Sequence, residues 1–221
     1  AYKEGLTKSV EHKEVYKKQT GGRGKFADIV FELSPRENVE KGKEGLEFVN
    51  DIVGGVIPRE FIPAIQKGFE NAMTNGPLAG YPIDNMKVRL FHGSYHDVDS
   101  DALSFELAAR IGFKEAAKKA APQLLEPIMS VEVMCPDEYT GSVTGDLNRR
   151  RGALKGMDTR AGAQIIKADV PLSELFGYVT DLRTITSGRA SASLTFSHYA
   201  PVPKNLADKV IEEVKGAAVA K

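Results

Sequence analysis

The chain has 221 residues, 42% apolar and 27% charged, with 30 lysines and arginines against 30 aspartates and glutamates. This composition excludes a disordered chain, and the zero formal charge excludes a nucleic-acid binder that is basic throughout. The length suits one large domain or two small ones, and no apolar run reaches the roughly 18 residues of a membrane-spanning helix.

The N-terminal run AYKEGLTKSV lacks the apolar core of a signal peptide, so none is expected. The single cysteine, Cys135, excludes an intrachain disulfide and suits a reducing compartment. Charge is locally uneven. Residues 8–25 carry six cations against two anions, and residues 146–160 carry five against two. Such patches can neutralise phosphates, although solvated faces look the same in sequence.

In chain order, residues 10–19 alternate as an exposed strand, GGRG at 21–24 turns the chain, and residues 26–33 resume as a strand, giving a long hairpin. Residues 36–44 form a charged loop, and residues 46–53 a third strand closed by Gly54-Gly55. After Pro58, Phe61, Ile65, Phe69 and Ala72 fall at helical spacing, with Asn75-Gly76-Pro77 as a glycine C-cap. Residues 84–91 form a fourth strand with Met86, Val88 and Leu90 on one side. Gly93-Ser94 reads as a tight turn. Ser100 or Asp101 caps a helix whose register is set by Leu103, Leu107, Ile111 and Lys114, and Pro122 stops it.

In the second half, Met129, Val131 and Val133 alternate with polar neighbours in a strand, and Tyr139, Val143 and Leu147 define a helix closed by Gly152. Two strands at 153–158 and 163–170 flank a turn. Leu172, Leu175, Phe176, Val179 and Leu182 define a further helix, and residues 191–198 alternate as a last strand. The order β-α-β-β-α-β predicts a ferredoxin-like sandwich. A terminal helix over 204–215 carries an apolar stripe of Leu206, Val210, Ile211 and Val214, which predicts that it packs back on the first domain. The boundary is placed at 122–127.

Enzyme signatures are missing: there is no GxxxxGK[ST] phosphate loop, no GxGxxG and no GxSxG. Cys135 has no local histidine base and reads as a structural thiol. His92, His96, Asp97, Asp99 and Asp101 could form a metal site, and with it a metal-dependent hydrolase, but the intervening turn removes helical i, i+4 geometry. Asp99 and Ser100 suit helix capping, which leaves Tyr95-His96 as an aromatic and an imidazole at a loop apex, able to stack on bases and donate hydrogen bonds. If the strands are neighbours, the 20–24 and 93–97 loops share one end of the sheet, an RNA-facing tip.

The runs GGRGKF, FVNDIVGGVIPREFIPAIQKG, GPLAGYPI, GSYHDVDSD, LLEPIMSVEV, GDLNRRRG, PLSELFGYVTDLRT and SGRASASLTF, followed by HYAPVP, closely resemble the C-terminal part of bacterial translation elongation factor G. The resemblance covers essentially the whole chain in collinear order. It implies a C-terminal fragment: the fourth domain over residues 1–122 with helix 203–215 packed on it, and the fifth over 123–202. The implied fold is α+β, a mixed four-stranded sheet with two helices like the second domain of ribosomal protein S5, then the ferredoxin-like sandwich. For the first domain it implies a left-handed crossover, where chain chemistry alone predicts a right-handed one.

The resemblance further implies a ribosome-binding module that follows tRNA–mRNA from the A site to the P site, without catalysis of its own. Its tip contacts would be Gly93, Ser94, Tyr95, His96 and Asp97 with Gln19, Thr20, Gly21, Gly22 and Arg23. Ribosomal-RNA contacts near the sarcin–ricin loop and GTPase-associated centre would be Arg183, Thr184 and Ser187, with Arg149 and Arg150 from the arginine run. No metal or cofactor is implied for these residues; GTP and magnesium would belong to a longer, cytoplasmic GTPase, and the fragment is expected to be monomeric. The alternatives are the metal-dependent hydrolase and a paralogous or ribosome-protection factor, whose tip loops differ from YHDVDS and GGRG.

Overall fold

The computed structural model describes residues 1–19 and 21–220, with side chains throughout except at 218–220. Two units emerge. The larger comprises Tyr2–Leu124 and Val202–Lys221; the smaller comprises Leu125–Pro201, with Ala1. No helix among the described residues is long and apolar enough to cross a membrane.

The larger unit begins with β1 (Lys3–Gly5), β2 (Val10–Lys18), β3 (Lys25–Ser34) and β4 (Gly45–Asn50). Next come α1 (Ile62–Ala72), β5 (Asn85–Ser94) and α2 (Ala102–Lys119). The sheet order is β2-β3-β5-β4, with β3 antiparallel to both neighbours and β4 parallel to β5. Ile29, Phe31 and Leu33 of β3 and Met86, Val88 and Leu90 of β5 alternate onto the helix-covered face and are fully buried.

Helix α2 does not bury the stripe its leucines suggest. Leu103 is 55% exposed and Ile111 is exposed too, while Phe105, Ala108, Ala109, Gly112, Phe113, Ala116 and Ala117 face the core. Close packing selects this face. A Cβ on Gly68 of α1 would lie 2.6 Å from the Glu106 carbonyl oxygen and 2.7 Å from Ala109 Cβ, so only small residues fit between the helices. Helix α1 also ends earlier than its glycine signal predicts. Met73 is the C-cap, with ordinary right-handed dihedrals, and Gly76 instead allows a close approach of Glu4. Strand β4 stops at Asn50, where its pairing with β5 ends.

The smaller unit is built from β6 (Gln123–Pro136), α3 (Thr140–Arg149), β7 (Ala153–Arg160), β8 (Ala163–Pro171), α4 (Tyr178–Ile185) and β9 (Ser191–Pro201). β6 is central, antiparallel to both β8 and β9, and β7 pairs with β8. This is the ferredoxin-like order, and Val131, Val133, Val143, Leu147, Ile166, Val170, Tyr178 and Leu182 form its core. The expected helix from Leu172 is interrupted. Residues 172–174 form a single 3-10 turn, and Gly177 (φ 70°) redirects the chain into α4. Leu175, Tyr178 and Leu182 point inward, whereas Phe176 is 82% exposed.

Helix α5 (Lys204–Ala220) outruns its predicted end at 215. Its Leu206, Ala207 and Val210 pack with Leu124, Val202, Tyr2 and Tyr81 of the larger unit.

Candidate nucleic-acid interface

The register of β3 and β5 places two loops together. Asp28 pairs with Ser94, so the loop entering β3 (19–24) and the loop leaving β5 (95–100) emerge at one end of the sheet. They interlock. Arg23 Nε donates to the Val98 carbonyl at 2.9 Å, and Phe26 N–H donates to the Asp99 carbonyl at 3.0 Å. Ser100 Oγ donates to the Phe26 carbonyl at 2.8 Å, and Lys25 Nζ pairs with Asp101. A Cβ on Gly24 would come within 3.0 Å of Asp99 Oδ2, so the glycine permits the approach.

His96 sits in the 95–100 loop with its side chain exposed. Its backbone is pinned: its N–H donates to Ser100 Oγ at 2.8 Å, and its carbonyl accepts from Ser100 N–H at 3.0 Å. Nδ1 accepts long hydrogen bonds from Val98 N–H (3.4 Å) and Asp99 N–H (3.3 Å). Asp99 Oδ2 lies 3.8 Å from the same nitrogen, so Nδ1 is occupied within the loop and Nε2 and the ring face are left for an outside partner. The Phe26 ring meets it edge-on at 6.4 Å. Tyr95, Asp97 and Val98 are exposed beside it, and Gln19, Gly21, Gly22 and Arg23 are exposed on the neighbouring loop; Thr20 lies outside the described residues.

Two of the expected contact residues sit below the loop apex. Gly93 and Ser94 are not a turn but the end of β5. Gly93 is buried because a Cβ there would stand 2.3 Å from the Asp28 carbonyl and 2.6 Å from Ile57 Cδ1. Ser94 Oγ donates to Asp28 Oδ2 at 2.7 Å. Both support the tip from below. His92 lies on β5 opposite Val30, and no group of three or more His, Cys, Asp or Glu among the described residues is placed to hold a metal ion.

The base of the tip is electrostatically fixed. Asp101 caps α2 by accepting from Ser104 N–H at 2.7 Å. Burial works against its charge, but hydrogen bonds from Lys25 and Ser104 outweigh that and hold the carboxyl down to about 2. Sequence reasoning had no signal for the Lys25–Asp101 pair or for the Val98 carbonyl as the anchor of Arg23, because both partners lie more than seventy residues away.

In the smaller unit, Arg183 and Thr184 are exposed at the end of α4, and Ser187 is exposed just beyond with φ 51°. The Arg183 carbonyl accepts from Gly188 N–H at 2.8 Å, which folds this end back on the helix. The three arginines after α3 differ. The Arg149 side chain is 76% exposed, with one bond to Asp146. That of Arg150 is 13% exposed and consumed: it bonds Asp146, the Glu174 carbonyl and Asp181, and lies 4.9 Å over the Tyr178 ring. Arg151 grips buried Glu126 through both terminal nitrogens and bonds Glu174. Each of the three nitrogens of Arg150 thus already has an acceptor within the smaller unit, which makes the residue an internal clamp.

Residues 1–121 match the family described as elongation factor G, domain IV, and residues 123–210 match elongation factor G C-terminus. Elongation factor G of Cytophaga hutchinsonii is 75% identical over 221 residues, covering 100% of this chain and 31% of the relative. That of Amoebophilus asiaticus is 73% identical over 218 residues, covering 99% and 30%. A crystal structure of a Thermus thermophilus protein superposes with a TM-score of 0.84 at 39% identity, covering 97% of this chain and 32% of that one. The chain thus spans about a third of the length of these relatives, and with both matches together it belongs to the elongation factor G family.

Proposed function

We propose that these residues are the ribosome-contacting part of a translocation factor and catalyse nothing themselves. The larger unit acts as domain IV, with α5 as its closing helix, and the smaller as domain V. The tip formed by Gln19, Gly21, Gly22 and Arg23 with Tyr95, His96 and Asp97 touches tRNA–mRNA in the small-subunit decoding region. Arg183, Thr184, Ser187 and Arg149 face ribosomal RNA near the sarcin–ricin loop and the GTPase-associated centre. GTP and magnesium are handled elsewhere in a longer cytoplasmic GTPase, and these residues work as a monomer without a cofactor.

The interlocked tip carries this reading. Two loops of distant sequence are fixed to each other, and they present an exposed imidazole beside an exposed tyrosine. Such a rigid polar point can hold a base edge or ribose hydroxyl at low entropic cost.

The test grafts this chain in place of the matching third of the Cytophaga hutchinsonii factor. His96→Ala should slow single-round translocation by roughly tenfold, the equivalent of one polar contact of about 1–2 kcal/mol. Ribosome-stimulated GTP hydrolysis should stay near that of the unsubstituted graft. A parallel fall in both activities, or no change in either, would overturn the assignment.

A further inference from the structure

Helices α1 and α2 border a groove of about 320 Å³ on the larger unit. Its walls include Asn71, Asn75 and Phe113, and Arg110, Lys114 and Lys118 of α2. We propose that this groove binds the phosphodiester backbone of RNA through those three cations. It is a second contact site, away from the tip loops, and the choice of RNA as the polyanion rests on the function proposed above.

The three cations recur at i, i+4 and i+8. They therefore form one row at steps of about 6 Å along the helix, comparable to the spacing of successive phosphates on a strand. No carboxylate lines the groove. Of the acids on the adjoining segments, Glu106 accepts from Asn71 Nδ2 at 3.5 Å, Glu4, behind Gly76, accepts three backbone N–H groups, and Glu115 pairs with Lys118 at 3.5 Å, which leaves Arg110 and Lys114 as the row's stronger members. Complementing the helix dipole explains Lys118 in the last turn but not Arg110 or Lys114, which lie one to two turns earlier. Asn71 and Asn75 add neutral amides to the lining, each Nδ2 keeping one N–H beyond its bond to Glu106 and to Thr74 Oγ1.

The probe is a short fluorescent RNA duplex, titrated with the chain over a range of salt. The triple variant Arg110→Gln, Lys114→Gln, Lys118→Gln should bind roughly tenfold or more weakly, and its log K against log salt slope should fall by about 2–3. The control triple Lys41→Gln, Lys167→Gln, Lys209→Gln removes the same charge from exposed sites elsewhere and should change the slope by less than about 1. All six side chains belong to exposed residues, so unfolding midpoints should match the parent. Equal behaviour of the two triples, or wild-type binding by the groove triple, overturns the site. Competition by polyglutamate at the same charge concentration as RNA overturns the choice of RNA. If the His96→Ala graft test fails while the groove triple still loses RNA, the tip assignment falls and the groove stands.

Discussion

The Glu4 carboxylate occupies the space that a side chain on Gly76 would fill. An added Cβ there would lie 2.3 Å from Oε1 and 2.4 Å from Cδ of Glu4, with the Tyr81 carbonyl at 2.6 Å. Glu4 is 1% exposed and accepts from the N–H groups of Leu78 (2.8 Å), Ala79 (3.0 Å) and Tyr81 (2.8 Å). One carboxylate thus holds the 78–81 turn within the connection from α1 to β5. Gly76→Ala should destabilise the larger unit by about 2–3 kcal/mol, through overpacking that backbone atoms cannot relieve. Glu4→Gln should cost about 1–3 kcal/mol, because an amide turns a donor toward N–H groups that need an acceptor. Urea unfolding measures both, and an unchanged midpoint for either contradicts this account.

Adjacent arginines should behave oppositely. Arg150→Ala leaves buried Asp146 with only the exposed Arg149 and strips the Glu174 carbonyl and Asp181 of their shared donor, so it should destabilise the smaller unit by about 3 kcal/mol. Arg149→Ala removes an exposed side chain and leaves Asp146 paired with Arg150, so it should cost less than about 1 kcal/mol. Ribosome binding by the graft should weaken for Arg149→Ala at unchanged stability. Equal unfolding midpoints for the two variants would contradict the clamp.

The Asp101 cap predicts a pH dependence. Despite burial, hydrogen bonds hold its carboxyl at about 2 in the folded chain against an ordinary value of 3.8, so its contribution is complete above about pH 5 and is lost as pH falls through 2. Because the pair with Lys25 is partly solvated, Asp101→Asn should cost only about 1–2 kcal/mol at pH 7. The difference between variant and wild type should shrink steadily below about pH 5, to a small fraction near pH 2 and to nothing below about pH 1. A gap that persists there places the stabilisation in something other than the charge.

Tyr178 offers a substitution that should not harm. Its hydroxyl is buried without a hydrogen-bond partner, and burial, then the charge of Asp146, push it up to about 12. Tyr178→Phe keeps the ring beneath Arg150 and removes an unsatisfied group, so stability at pH 8 should be equal or higher by up to about 1 kcal/mol. In wild type the unfolded phenol ionises near 10, so stability is lost between pH 10 and 12; the variant should lose less there. A large destabilisation at pH 8 would reveal a partner for the hydroxyl.

Alternation at Val131 and Val133, and helical spacing at Val143 and Leu147, made the smaller unit's order legible, because those positions touch only their own sheet and helix layer. The face of α2 was not legible. Hydropathy ranks Leu103 and Ile111 above Ala109 and Gly112, but the approach of Gly68 admits only the small residues. Gly93-Ser94 reads as a turn until the Asp28 carbonyl and Ile57 show why glycine sits in a strand. At the site, Tyr95 and His96 were legible as an exposed pair in a loop. The roles of Arg150 and Arg151 were hidden, since Glu174, Asp181 and Glu126 are more than twenty residues from them.

Val202 N–H donates to the Leu124 carbonyl at 2.9 Å, so the chain leaves the larger unit and re-enters it at adjacent points, with Leu125–Pro201 spliced between. During synthesis every residue of the larger unit's main core, Leu6 to Ala120, has been made when Leu124 is added, but the small cluster around Leu124 waits for Val202 and Ala207, by which time the smaller unit is already made. The splice should also be reversible by engineering. A short turn joining Leu124 to Val202 would yield a continuous gene for the larger unit alone, with its closing helix in place.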